Sequence, residues 1–328
     1  MKNSFFVIII CLLLVAIGVI QYHSFKINKK DQARAGEDIN QGVVKGSRTD
    51  SIDLVLPEIK SIQTVGIPTR KKDSENIKIN AKNYILIHEE SNYPLVEKDS
   101  HVRVPIASTT KIMTAIVALE NYKLDDAVNV SQNAALQIGS DAYLKSNEKL
   151  TVKSLLYALL INSGNDAAMA LAEHMSGGKD EFVKKMNDKV KYLSLNDTEF
   201  KDPAGLDDSA YSSAFDLAII TLYALRNPDF KEIIKTQEYT IVSLDGKLAH
   251  SLKTSNRLIK PDSPLYMQSA IGVKTGFTPD AGHCLVSAAN KNGESLVGVV
   301  LNTLESTNDA SAKESNKLLN WGYKSFEF

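Results

Sequence analysis

The strongest constraint on this fold is where strand signals stand. They occur at both ends of the sequence after Asn80 and leave a helical block between them. Tyr84-Ile85-Leu86-Ile87 is a short apolar run ended by polar Glu89 to Asn92, and Pro94-Leu95-Val96 reads as the return strand of a hairpin. From Ser108 the period changes. Ile112, Met113, Ile116, Val117 and Leu119 recur at helical spacing, as do Leu155, Leu156, Leu159 and Leu160. Ala167 to Met175, Phe182 to Leu193 and Ala214 to Leu225 continue the helical pattern. Strand signals return at Tyr239 to Val242, Ala270 to Thr275, His283 to Ala289 and Ser295 to Leu301. The last two flank Asn290-Lys291-Asn292-Gly293, a hairpin turn signal. Ala310 to Tyr323 closes the chain as a helix. This order predicts an α+β fold, an antiparallel sheet flanked by helices with a largely helical insertion.

Ahead of this domain, Phe5 to Ile20 carries no charge and is almost entirely Ile, Leu, Val and Phe. With its neighbours it reaches the length that spans a bilayer, and Lys2 precedes it as in a signal sequence. No small-x-small cleavage site follows, so an uncleaved signal anchor is favoured over a cleaved signal peptide. Lys26, Lys29, Lys30 and Arg34 follow the run, and this charge distribution argues against an exported C-terminus. From His23 the chain turns polar, with signs interspersed as in Arg70-Lys71-Lys72-Asp73, although Ile52 to Val65 is apolar enough for a docked strand. The expected organisation is a signal anchor or transmembrane helix at 1–22, a polar linker at 23–79 and a folded domain at 80–328.

Hydrophobic residues make up 43 % of the chain and charged residues 23 %, enough apolar surface for a real core. A formal net charge of -1 lacks the basic footprint of a nucleic-acid binder. Cys11 lies in the apolar run and Cys284 in the domain, so no disulfide framework is expected, and Cys284 reads as a buried structural thiol. His174, His250 and His283 are scattered rather than spaced as ligands, so neither metal nor cofactor is expected. Trp321, in the last helix, reads as core packing, and Asp166 as a helix cap.

Three short elements carry chemistry. In Ser108-Thr109-Thr110-Lys111 a serine opens a helix with a lysine one turn on, on the same face. A hydroxyl is a poor nucleophile without a base, and a lysine kept unprotonated by burial can take its proton. The serine N–H at a helix start can stabilise an oxyanion. Ser163-Gly164-Asn165 interrupts a helical run; Gly164 lets the chain turn, and a hydroxyl and an amide are offered for proton relay and for holding a carbonyl. Lys274-Thr275-Gly276 ends a strand, with positive charge, a hydroxyl for a carboxylate, and a glycine that lets a substrate backbone come close. Each element alone is weak. S-x-x-K recurs at Ser146 and Ser176, and S-x-N at Ser74, Ser131, Ser194 and Ser306. A capped helix with a surface lysine, a helix turn and a strand end would read the same way. Order, spacing and context together raise the set above that reading.

Taken with their flanks, these elements resemble the serine-type D-alanyl-D-alanine carboxypeptidases, the low-molecular-weight penicillin-binding proteins. The resemblance runs from about Ala81 to Phe326 and includes Ala107 to Thr114, Leu160 to Ala167, the loop Phe200-Lys201-Asp202-Pro203-Ala204-Gly205-Leu206, and Gly272 to Thr278 followed by Ala281-Gly282. It implies a β-lactamase/transpeptidase-like fold and a catalytic domain that removes the terminal D-alanine from peptidoglycan stem peptides ending in D-Ala-D-Ala. It implies Ser108 as the acyl-enzyme nucleophile, Lys111 as the acylation base, and Ser163 and Asn165 as proton relay and peptide holder. Lys274, Thr275 and Gly276 would receive the terminal carboxylate and backbone. The N–H groups of Ser108 and Phe277 would form the oxyanion hole. β-Lactams would acylate Ser108, and the domain would lie outside the membrane, or be released to the cell wall if the N-terminal run is cleaved.

Two departures and the alternatives bear on this. Family members often place an arginine just beyond the last strand for the substrate carboxylate; Leu301 to Lys317 contains only Lys313 and Lys317. The extra C-terminal domain and membrane helix of many members would be replaced here by the N-terminal anchor. A β-lactamase would need a glutamate loop after the second element, and no E-x-x-L-N stretch stands there. A non-enzymatic sensor would not need all three elements intact. Endopeptidase or transpeptidase action on cross-linked peptides is compatible with the same motifs.

Overall fold

A computed structural model of the protein describes residues 66–328. The signal anchor, most of the linker and the apolar stretch Ile52 to Val65 lie outside those residues. Among the described residues no helix is long and apolar enough to cross a membrane.

The elements run β1 (Thr69–Arg70), β2 (Ala81–His88), β3 (Tyr93–Lys98), α1 (Lys111–Asn121), β4 (Ala127–Asn129), β5 (Lys149–Thr151), α2 (Val152–Leu160), α3 (Asn165–Glu173), α4 (Gly178–Tyr192), α5 (Ala214–Ala224), α6 (Pro228–Lys235), β6 (Glu238–Val242), β7 (Ala249–Lys253), β8 (Ala270–Thr278), β9 (Gly282–Lys291), β10 (Glu294–Thr303), α7 (Ala310–Ser325) and β11 (Phe326–Glu327). The five-stranded sheet has the order β3-β2-β10-β9-β8, with every pairing antiparallel. The α+β expectation matches this architecture, and the β9–β10 hairpin turns at Asn292 and Gly293, both with positive φ, as a two-residue hairpin requires.

Alternation along the strands builds two cores, because successive side chains face opposite sides. Ile85, Ile87, Val286, Ala288, Val297 and Val299 point to the helical block and join the apolar faces of α1, α2, α3 and α5. Tyr84, Leu86, Leu285, Ala289, Leu296 and Val300 point the other way and are covered by Leu318 and Leu319 of α7. With both faces covered, β9 and β10 are buried over most of their length, which explains their near-continuous apolar sequence.

Three regions differ from the sequence reading. Tyr239 to Val242 does not join the main sheet; β6 pairs with β7 in a separate ribbon. The polar exposed faces of that ribbon gave β7 no signal of its own. Helix α6, with Pro228 in its first turn and Asn227 as its cap, also escaped notice. Finally, residues 69–79, assigned to the linker, dock on the domain. β1 pairs with β11, Lys71 N–H donates to the Ser325 carbonyl at 2.9 Å, and Trp321 Nε1–H donates to the Glu75 carbonyl at 2.8 Å. Trp321 is half-buried: it packs against the second core, as expected, and also pins this segment, with the Arg70 guanidinium 5.6 Å from its ring centre.

Candidate active site

The site forms where the helical block meets the edge strand β8. Ala107–Thr110 is a single 3-10 turn that runs straight into α1. At three residues per turn, side chains three apart eclipse one another, so Ser108 and Lys111 are stacked by the local geometry. Lys111 Nζ donates to Ser108 Oγ at 2.8 Å. Its other two hydrogens reach Asn165 Oδ1 and the Ala204 carbonyl, both at 2.7 Å. Lys111 is completely buried. Burial lowers its pKa to about 7, while Asp202 and Asp166 partly offset that shift.

The second element is a corner between α2 and α3. The residue in the left-handed conformation is Ser163, with φ of 63°, not Gly164. Gly164 is needed for room: a Cβ there would sit 2.6 Å from Asp166 Oδ1. The Ser163 backbone is held by bonds on its C-terminal side, Gly164 N–H to the Ala158 carbonyl at 3.0 Å and Asn165 N–H to the Ser140 carbonyl at 2.7 Å. Asn165 was expected to face the substrate. It is instead buried, its Oδ1 taken by Lys111 and its Nδ2 donating to the Ile138 carbonyl at 2.6 Å, which makes it a positioning residue. Asp166, expected to cap this helix, lies inside its first turn, and Gly164 holds the cap position with no side-chain cap bond. The Asp166 carboxylate accepts from the N–H groups of Ala142, Leu144 and Ala167 and so ties the 142–144 loop to α3.

Lys274 on β8 is also buried. Its Nζ donates to Ser163 Oγ at 2.8 Å and to the Thr275 carbonyl at 2.9 Å. Its pKa is driven well down by burial and then by the neighbouring Lys111. The side chain expected to offer open positive charge thus points inward at Ser163. What faces the cleft beside it is a hydroxyl pair, Thr275 Oγ1 and Ser255 Oγ, 2.6 Å apart. Gly276 brings the strand against the nucleophile turn, since a Cβ there would lie 3.2 Å from the Ser108 backbone N. Phe277 is largely exposed and stacks on His283 at 4.4 Å. The resulting cleft, about 410 Å³, is lined by Ser108, Ser163, Ser255, Thr275, Gly276 and Phe277. A larger concavity, about 990 Å³, lies between residues 69–78 and α7, but no nucleophile with a base lines it.

One component was matched by the resemblance but given no role. The loop Phe200 to Leu206 supplies the Ala204 carbonyl to Lys111 and the Pro203 carbonyl to Thr114. Asp202 shapes it by accepting from the N–H groups of Ala204, Gly205, Leu206 and Asp207 at 2.6 to 3.0 Å. Gly205 has φ of 78°, and a Cβ there would fall 2.0 Å from the Ala107 carbonyl oxygen, so only glycine fits against the nucleophile turn. The D-P-A-G pattern was the available signal for this. Ser255 carried none, because it reaches the cleft only through the β6–β7 ribbon. Cys284 is fully buried and its thiol is pushed up to about 12, which leaves it unreactive.

Comparison with known proteins agrees with this geometry. Residues 69–305 match the family model described as D-alanyl-D-alanine carboxypeptidase. The chain is 37% identical over 254 residues to the D-alanyl-D-alanine carboxypeptidase DacF of Bacillus subtilis, covering 75% of this chain and 63% of that protein. It is 35% identical over 246 residues to a D-alanyl-D-alanine carboxypeptidase of Streptomyces sp. strain K15, covering 70% of this chain and 82% of that one. The crystal structure of the Streptomyces K15 DD-transpeptidase superposes with a TM-score of 0.71 at 32% identity, over 76% of this chain and 99% of that chain. The likeness thus includes the sheet, the helical insertion and all three elements around Ser108, and this chain belongs to the D-alanyl-D-alanine carboxypeptidase family of serine peptidases.

Proposed function

We propose that the protein is a serine D-alanyl-D-alanine carboxypeptidase of the cell envelope that trims the terminal D-alanine from peptidoglycan stem peptides during wall maturation. The observation that carries this reading is the contact of Lys111 Nζ with Ser108 Oγ at 2.8 Å, in a buried setting that brings the amine to about 7. A neutral Lys111 keeps two N–H donors on Asn165 and Ala204 and turns its lone pair to the Ser108 hydroxyl. It takes the Ser108 proton as Oγ attacks the carbonyl of the penultimate D-alanine. The N–H groups of Ser108 and Phe277 receive the oxyanion. Ser163, held by Lys274, relays the proton taken by Lys111 to the departing amine, so the C–N bond breaks, D-alanine leaves and Lys111 is neutral again. Water then hydrolyses the acyl-enzyme, restoring Ser108. Thr275 and Ser255 face the substrate carboxylate, and Lys274 adds charge as that anion arrives, because a bound anion favours its protonated form. A peptidoglycan substrate requires the domain on the outer side of the membrane, and this reading overrides the basic residues that follow the apolar run, with residues 1–22 as the tether.

β-Lactams present an acyl group to the same serine. Mixing the full-length, detergent-solubilised chain with penicillin is expected to add the mass of the drug to the peptide containing Ser108, and Ser108→Ala is expected to abolish the adduct. Intact penicillin with no adduct would sink the nucleophile assignment; consumed penicillin with no adduct would point to a β-lactamase. The relative described as a DD-transpeptidase favours a second fate for the acyl group, transfer to an amine. Product analysis of a stem peptide with and without added acceptor amine separates hydrolysis from transfer.

A further inference from the structure

At the end of the sheet away from Ser108, His88 closes β2 beside two carboxylates. His88 is only 2% exposed, and its Nε2 lies 2.8 Å from Glu90 Oε2 and 3.0 Å from Glu294 Oε2. The three potential ligand atoms lie within 4.8 Å of one another. His88 Nδ1 is held by Ser91 Oγ at 2.8 Å, the outer contact that fixes an imidazole whose other nitrogen binds a metal. Among the described residues, no lysine or arginine lies within ion-pair distance of Glu90 or Glu294, whereas the adjacent Glu89 pairs with Lys231 at 3.5 Å. Two carboxylates with an imidazole make a donor set that a divalent cation can hold together. Neighbouring ligands on a tetrahedral ion with bonds near 2.0 Å stand about 3.3 Å apart, a few tenths of an ångström more than the two His88 contacts. Imidazole with carboxylates suits zinc better than the all-oxygen sets that hold calcium or magnesium.

We propose that His88, Glu90 and Glu294 form a three-ligand zinc-class site, its fourth position left to water, that staples the β2–β3 turn to the β9–β10 hairpin. His88 and Glu294 are 206 residues apart, so no ligand spacing announced the site. His88 pairs across the sheet with Leu296, Ala289 and Ala270 in turn, while Gly276, against Ser108, lies six residues farther along β8, about 20 Å away. The site is remote from acyl transfer and takes no part in it.

The test uses the full-length chain, stripped with chelator and then dialysed against Zn²⁺. The expected result is about one zinc retained per chain, with a tetrahedral visible spectrum when Co²⁺ replaces it. Glu294→Gln is expected to weaken retention at least tenfold and Glu90→Gln/Glu294→Gln to abolish it, while penicillin acylation of Ser108 stays unchanged. These carboxylates are half-exposed, so their variants remain informative even where His88→Ala fails to fold. Zinc should raise the melting temperature of the parent and leave that of the double variant in place. Failure of the parent to retain zinc, or equal retention by the double variant, overturns the proposal.

Discussion

The two walls of the cleft each carry a buried lysine aimed at a serine hydroxyl, and they differ in what surrounds the charge. On the helical wall Lys111 has three acceptors and the fields of Asp202 and Asp166. On the strand wall Lys274 has two acceptors, and the neighbouring charge that weighs on it is Lys111 itself. Burial dominates both and lowers both. Only Lys111 is balanced by carboxylates to about 7, where one amine can both accept and return a proton. In the proposed mechanism the same residue type serves as a base on one wall and takes up charge only when an anion binds on the other, because of charge placement rather than motif.

The largest effect should come from removing the base. Lys111→Met is expected to slow acylation by penicillin roughly 10²- to 10⁴-fold, measured by stopped-flow or intact-mass kinetics. Lys274→Met should cost about 10²-fold, and with a stem peptide more of that loss should appear in KM, because the carboxylate is met on this wall. Equal kcat and KM patterns in the two variants would erase the contrast between the walls.

The pH profile sharpens it further. The acylation rate should rise with pH through about 7 and fall roughly tenfold per unit below it, as Lys111 becomes protonated. Asp202→Asn removes a carboxylate that raises the Lys111 pKa while keeping one oxygen for the loop N–H groups. The midpoint should therefore move to lower pH, and an upward or absent shift would contradict the electrostatic account.

Stability should show the same lysine from the other side. The folded pKa of Lys111 lies below its unfolded value near 10.5, so the native state binds fewer protons than the unfolded chain between about 7 and 10.5. Its burial penalty is complete below about pH 7 and fades as pH rises toward 10.5. Lys111→Met should thus gain most over the parent at or below pH 7, and the gain should shrink with rising pH in chemical denaturation. A pH-independent difference would show that Lys111 does not titrate there. The smallest effect is expected for Ser255→Ala, a rise in KM of about two- to tenfold from one lost hydrogen bond.

Much of this site could be read from short segments. Ser108 with Lys111, the Ser163 corner, and the Lys274 strand end were each visible because helix pitch and strand ends act over a few residues. Elsewhere the sequence misled. Gly164 was credited with the turn that Ser163 makes, and Asn165 was assigned to the substrate although Lys111 occupies its oxygen. The docking of residues 69–79 was hidden because its partners, Trp321 and Ser325, lie at the other end of the chain.

The sequence by itself determined the strands of the main sheet, the long apolar helices, the β9–β10 hairpin and the chemical groups available, since propensity, periodicity and turn residues are local properties. The tertiary structure alone decided the protonation chemistry. The Ala204 carbonyl reaches Lys111 across 93 residues, Ser163 reaches Lys274 across 111, and Ser255 reaches Thr275 through a separate ribbon. A lysine's pKa depends on how much water is excluded and which charges stand within a few ångströms, and those quantities exist only once distant segments have packed together.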